Sequence, residues 1–430
     1  MNYENRVIDQ KSFADYGIDD LLAIADRHER WFDESCIVLY AASNHLNPVQ
    51  RRMLGSSAST RVAEGDVNKK FYQMGTAFIN EMERVAVEGL KDLFQADWAD
   101  CRVQSGTLAN TAVELALMQP GDTVMSITLS VGSHTSHTSL GFPVFYGLNV
   151  VDIPFDDENI NIDLGKFEEL LKTLDVKPKL LILGGSLFVF RFPVREVRDL
   201  LDRYSPETVI LFDAAHVDGL IAGGAYPNPL DEGADIISGS TYKTLGGPAG
   251  GFVVGRREDL YKKVKRSIYP GLTTSYHSGR LGALAATCIA LRDVKEEYAH
   301  RVVSNAQALG RALDEKGFHV VGKNHGFSQT HQVLIQMPEG DFRSVEAGQL
   351  LEDAYIITSP QLLPWEPRNV VRNPLGIRLG TQEVTRNGMK EADMETIAAF
   401  MADVILERKD TKSIAAKVEA FRKSFTEPMY

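Results

Sequence analysis

A chain of 430 residues is longer than one hydrophobic core usually serves, so more than one domain is expected. Apolar residues make up 44% and charged residues 24%, ordinary for a globular enzyme; the net charge of −12, with no basic block, argues against nucleic acid or an anionic membrane as partner. Cys36, Cys101 and Cys288 lie far apart, which argues against a disulfide framework or a zinc site and suits a reducing cytoplasm. Cys288 sits in an Ala-rich stretch and reads as a core residue, not a nucleophile. The start, MNYENRVIDQKSF, has no apolar segment of the signal-peptide kind, and no apolar run is long enough to span a bilayer. A cytoplasmic location is expected.

In chain order, Ile18, Leu21, Leu22, Ile24 and Ala25 share one face of a predicted helix running towards Trp31. Residues 36–40 form a short apolar run, a predicted strand that stops at the turn-rich AASNHLNP. Residues 77–94 repeat apolar side chains at helical spacing. Short apolar runs then alternate with helix-length segments. Strands are predicted at 123–127, 149–153, 180–183, 208–212, 236–238 and 251–254, with helices at 164–173 and 194–204. This alternation predicts an α/β domain with a largely parallel sheet and helices on both faces; strands buried on both sides read as continuous apolar runs. From about Leu281 an Ala- and Leu-rich helix is expected to run on towards Phe318. Beyond it, strands at 319–321 and 332–336 and helices at 344–353 and 391–407 predict a smaller α+β domain, and the tail after Asp410 reads as a charged surface helix. The expected division is an N-terminal helical arm (1–50), a large α/β domain (51–290) and a small C-terminal domain (291–430).

Ligands in open α/β sheets bind at the carboxyl ends of the strands, so the residues after each run matter most. Ser105-Gly106-Thr107 opens a helical segment. It reads either as a phosphate cup of hydroxyls and free amides or as a plain helix cap. Asp213 follows the strand beginning at Thr208; an acid there could hold a metal, serve as a base, pair with a protonated ring nitrogen or cap a helix. Lys243 follows the next strand, enclosed by small and hydroxyl residues from Ser238 to Gly247. A lysine so enclosed loses its charge readily, as a Schiff base requires. The three pieces in this order resemble the pyridoxal-phosphate (PLP) site of the aspartate-aminotransferase fold group, PLP fold type I.

Over nearly the whole chain the sequence more closely resembles serine hydroxymethyltransferase. Seven ordered segments carry the likeness: Val62-Ala63-Glu64-Gly65; Lys70-Phe71-Tyr72; QSGTLAN, with Ser105, Gly106 and Thr107; Gly132-Ser133-His134-Thr135-Ser136-His137; Asp213-Ala214-Ala215-His216 running on to Gly224; SGSTYKTLGGPAGG, with Ser240 and Lys243; and Gly376 to Gly388, with Arg378. The resemblance implies that Lys243 carries PLP as an internal aldimine and that Asp213 keeps the pyridine nitrogen protonated. It implies that His134 stacks on the ring and that His216 and Ser186 touch the phenolic oxygen or the substrate. Ser105, Gly106, Thr107 and Ser240 would complete the cofactor site. Arg378 would grip the substrate carboxylate, Glu64 would act as acid/base at the β-hydroxyl, and Tyr72 would sit beside it. Glu64 and Tyr72 would reach a neighbouring subunit's site, so a homodimer or larger assembly is implied.

Departures from the family pattern cluster on the acceptor side. The family's SEN is Ala42-Ser43-Asn44, the Tyr before AEG is Val62, and the His before the lysine is Tyr242. The loop that brings a neighbour's backbone to the phosphate is Pro270 to His277, and the folate-side stretch is replaced around Trp365. The segment Phe327 to Val333, with His331, looks like one of threonine transaldolases. The expected function is cleavage and formation of the Cα–Cβ bond of β-hydroxy amino acids through a glycine quinonoid. This is hydroxymethyltransferase-like chemistry, on an unusual amino acid in one version, and it is expected to proceed without tetrahydrofolate. The alternatives are a threonine transaldolase or aldolase and a non-catalytic PLP-binding protein; intact Lys243, Asp213, Glu64 and Arg378 weigh against the last.

Overall fold

Seven strands form the central sheet of the computed structural model, which describes residues 12–70, 72–338, 343–426 and 428–430. Their order is Trp98–Asp100, Gly251–Gly255, Ile236–Ser240, Val209–Asp213, Leu180–Gly184, Thr123–Ser126 and Asn149–Asp152. Five neighbouring strands, from Ile236–Ser240 to Asn149–Asp152, are parallel, and Gly251–Gly255 runs antiparallel to both of its neighbours. The six predicted strands are present to within a residue or two. Trp98–Asp100 was not foreseen: Trp98 and Ala99 between Asp97 and Asp100 show no apolar run, and the strand is held by pairing with Gly251–Gly255 and by Trp98 stacked on Tyr261 at 4.9 Å.

The helices form where caps and apolar spacing agree. Leu164–Thr173 starts at Asp163, whose side chain accepts from the Lys166 N–H, and it buries Phe167 and Leu171. Val194–Tyr204 buries Val194, Val197, Leu200 and Leu201, one stripe at helical spacing. Ala77–Phe94 lies against Ser278–Arg292, and the contact needs glycine: a Cβ on Gly89 would come within 2.5 Å of Cys288 Cβ. Cys288 is thus a core residue, its thiol pushed up to about 12 by burial.

The single helix expected from Leu281 towards Phe318 is two helices, Ser278–Arg292 and Lys295–Glu315, because Val294 leaves helical geometry at φ −125° and ψ −2°. The break redirects the second helix so that Tyr298, Ala299 and Val302 join the core around the central sheet. Ala306, Leu309 and Leu313 join a second core with Val333, Ile377 and Ile397. That second core surrounds an antiparallel sheet of His319–Val320, Gln332–Gln336, Gly376–Gly380 and Ser359–Gln361. Ile37–Val38 pairs in parallel with Ile356–Ile357 and buries Ile37 and Leu39 in the same core. The tail helix Thr411–Arg422 is not purely superficial, since Ile414, Ala415 and Val418 are buried. The helix Ile18–Phe32 has no buried residue, and Ile18 is 73% exposed. Residues 1–11 of the expected arm, and Phe71, lie outside the described residues. No helix among the described residues is long and apolar enough to cross a membrane.

Candidate active site

Asp213 ends its strand at the carboxyl edge of the sheet and is buried. Its Oδ2 accepts from Asn110 Nδ2 at 2.9 Å and lies 2.9 Å from His137 Nε2, and its Oδ1 accepts from the Ala215 N–H at 2.9 Å. Burial alone would raise this carboxyl. The His137 contact, with His134 and Lys243 near, outweighs burial and holds it well below the usual carboxylate range. Asn110 is itself fixed, accepting from Ser238 Oγ at 2.5 Å. Asp213 is therefore an anion ready for one more positive partner.

Lys243 follows the next strand and is 7% exposed. Its carbonyl accepts from Asn44 Nδ2 at 3.0 Å, and its turn is packed on Gly219, where a Cβ would come within 2.3 Å of the Thr244 carbonyl oxygen. Burial lowers the Lys243 ammonium to about 8; Arg378 adds to the fall, and the attraction of Asp213 and Asp218 does not offset it. Asp218, buried within electrostatic reach of Lys243 and Asp213, is pushed up to about 7 by burial although Thr244 Oγ1 donates to it at 2.7 Å.

Arg378 lies on Gly376–Gly380, also 7% exposed. One Nη donates to the Ser186 carbonyl, and Nε has no partner among the described residues. No carboxylate among the described residues pairs with it, and burial lowers the guanidinium to about 10. A buried, unpaired guanidinium is costly, and an anionic ligand would relieve that cost. Beside it His216 is buried, stacked on His331 with ring centroids 5.6 Å apart. His134 borders the same region; its Nδ1 is 2.7 Å from Ser136 Oγ, and burial lowers it to about 4.

Ser105 caps Gly106–Leu117, accepting from the Leu108 N–H at 3.1 Å; the first amides of a helix lack partners within it. The end of Ile236–Ser240 closes tightly over this turn. A Cβ on Gly106 would fall 2.4 Å from Ser240 Oγ, and one on Gly251 2.3 Å from the Ser105 carbonyl oxygen. Thr107 is exposed at the same helix start.

Glu64 and Tyr72 form a different group. Glu64 is half-buried and accepts from Ser275 Oγ at 3.1 Å, Tyr72 is 64% exposed, and both act electrostatically on Tyr269. The nearby Lys70 is buried against Glu83 at 2.5 Å. Sequence reasoning assigned no role to Asn110, His137, Asp218 or Gln332, and none to His331 beyond its segment. His137 had a signal, falling inside a matched segment. Gln332 fell inside the segment from Phe327 to Val333, but as a polar residue opening an apolar strand it carried no sign of its contact with His216.

The parallel sheet, with its lysine, buried acid and hydroxyl-lined helix start at the strand ends, defines a PLP enzyme of fold type I, and the residues present fit that cofactor. Among solved structures, L-threonine transaldolase from Pseudomonas fluorescens, in its internal aldimine state, superposes with a TM-score of 0.85 at 27% identity, covering 96% of this chain and 92% of that one. The family model for serine hydroxymethyltransferase matches residues 16–401. The serine hydroxymethyltransferase of Staphylothermus marinus is 40% identical over 411 residues, 96% of this chain and 92% of that protein. That of Sulfolobus acidocaldarius is 39% identical over 417 residues, 96% and 94%. The chain belongs to the serine hydroxymethyltransferase family and is an enzyme of the PLP-dependent hydroxymethyltransferase and aldolase type.

Proposed function

We propose that the chain cleaves and forms the Cα–Cβ bond of β-hydroxy amino acids without requiring tetrahydrofolate. The observation that carries the reading is Arg378, a buried guanidinium with no carboxylate partner among the described residues, within electrostatic reach of Lys243. It suits the carboxylate of an amino acid, gripped by two parallel N–H bonds.

PLP, when bound, supplies an electron sink for the pair left by the broken Cα–Cβ bond. Lys243 would hold it covalently through an amine whose proton burial loosens. Asp213, ionised and buried, would pair with its protonated pyridine nitrogen. Ser105, Gly106, Thr107 and Ser240 would take its phosphate, His134 would flank the ring, and His216 and Ser186 would serve the phenolic oxygen or the substrate. Glu64 of a second copy accepts the β-hydroxyl proton as the bond to Cβ breaks and an aldehyde leaves, with Tyr72 beside it. A homodimer is supported by the uncovered apolar side chains of Ile18–Phe32. An apolar groove of about 550 Å³ lined by Val49, Met53, Phe78, Met82 and Ile289 supports it too.

Folate independence is supported on the acceptor side. Ser43 stands where the family has a carboxylate, and Trp365, 44% exposed, sits in a loop organised by buried Glu366, which accepts from the Leu363 and Leu375 N–H groups. A polar ligand whose partners are missing leaves desolvated groups unpaired at about 1–3 kcal/mol each. A threonine transaldolase is the second reading, favoured by the superposed structure. The test follows glycine formation from serine and from threonine while tetrahydrofolate is titrated. Cleavage at zero folate is expected; strong dependence on it, with serine as the sole good donor, would overturn the proposal.

A further inference from the structure

Gln332 is fully buried on Gln332–Gln336, behind His216. Its Oε1 accepts from the Phe188 N–H at 2.8 Å, which fixes which end of the amide is oxygen. Both hydrogens of Nε2 are then committed, one to the Ser186 carbonyl at 3.1 Å and one to His216 Nδ1 at 3.0 Å. His331 approaches the same nitrogen: its Nε2 lies 3.5 Å from His216 Nδ1 and 3.2 Å from the Ala41 carbonyl oxygen. A carbonyl only accepts, so the His331 hydrogen is on Nε2. His216 Nδ1 thus accepts from the Gln332 N–H and must keep its lone pair, while the one His331 Nε2–H goes to the nearer Ala41 carbonyl. Burial, with Lys243 and Arg378 adding to it, holds His216 well below the usual imidazole range, so the ring is neutral and its one hydrogen is on Nε2. Among the described residues Nε2 has no hydrogen-bond partner.

We propose that Gln332 is a positioning residue that locks His216 in its Nε2–H tautomer, leaving one directed donor for an oxygen of the cofactor or substrate. With the hydrogen on Nδ1 instead, that N–H would oppose the Gln332 N–H, and Nε2 would turn a lone pair towards the incoming oxygen. The Ser186 carbonyl ties the same amide to Arg378, which also donates to it, so one side chain sets the donor form of His216 and braces the carboxylate grip. The catalytic part rests on the reading of His216 as a residue facing the cofactor; the tautomer does not.

The test is nuclear magnetic resonance of the apo-protein carrying histidine labelled with heavy nitrogen, the His216 signals being identified by their loss in His216→Asn. The wild-type spectrum should show Nε2 protonated and Nδ1 bare. Gln332→Leu, similar in volume, should make the Nδ1–H form detectable. Gln332→Glu, which keeps an acceptor for Phe188 but turns another on His216, should drive the ring to Nδ1–H or to imidazolium. With whichever β-hydroxy amino acid turns over, Gln332→Leu should lower kcat about tenfold, the size of one hydrogen bond, and change PLP affinity less than about threefold. A wild-type ring protonated on Nδ1, or variants that leave the tautomer unmoved, would overturn the proposal. A tautomer that moves while kcat stays constant would overturn its catalytic part alone.

Discussion

Lys243 should capture PLP near neutral pH because its ammonium titrates at about 8, against 10.5 for an ordinary lysine. At pH 7 about one molecule in ten then carries the free amine, against roughly three in ten thousand at the ordinary value, an advantage of about 300-fold. The assay is the initial rate of absorbance change when PLP is added to apo-protein across a pH series, checked by borohydride trapping on the Lys243 peptide. The rate should rise about tenfold per pH unit while the ammonium form dominates and flatten above pH 8, where a simple alkylamine would still be climbing. Arg378→Met removes a cation that disfavours the ammonium, so the midpoint should move upward. It should stay below 10.5, because burial is the leading cause and remains. A rate still climbing at full slope through pH 9.5, or a midpoint indifferent to Arg378→Met, would refute the account and make Lys243 an ordinary lysine.

Two further outcomes follow from the strand-end geometry. Asp213→Asn should keep the fold, since its amide oxygen can still accept from the Ala215 N–H, although its NH2 then faces the Asn110 donor. It should still slow turnover a hundredfold or more, about 3–5 kcal/mol for stranding a buried cation without its partner; near-native turnover would show Asp213 to be only an anchor for Asn110 and His137. Gly106→Ala should weaken PLP binding more than it lowers the melting temperature, because its Cβ would displace Ser240 Oγ from the helix start; binding left unchanged in titration would detach this turn from the phosphate.

What was legible in the sequence was whatever local pattern decides. Strands buried on both faces must be apolar throughout, so five of the seven in the central sheet announced themselves; the partly exposed edge strand Asn149–Asp152 did so through Val150 and Val151, and Asp213 and Lys243 stood out as chemistry-bearing residues past two of the buried strands. The helix 164–173 was legible to its ends because Asp163 caps it and its apolar residues keep the helical period. Trp98–Asp100 was not, since its three residues become a strand only against Gly251–Gly255. The turn at Val294 was not, because nothing local forbids the helix from continuing; the demand comes from two cores that one straight helix cannot serve. The contact between Gln332 and His216 joins residues 116 apart, and its consequence depends on an amide orientation set by a third segment at Phe188. The same division holds within the site. Groups placed at strand ends are given by the order of elements along the chain, whereas the groups that fix a proton on one nitrogen arise where the two cores meet. Sequence therefore points to the reacting residues before it points to those that set their protonation, and tautomer and charge have to be read from three-dimensional contacts.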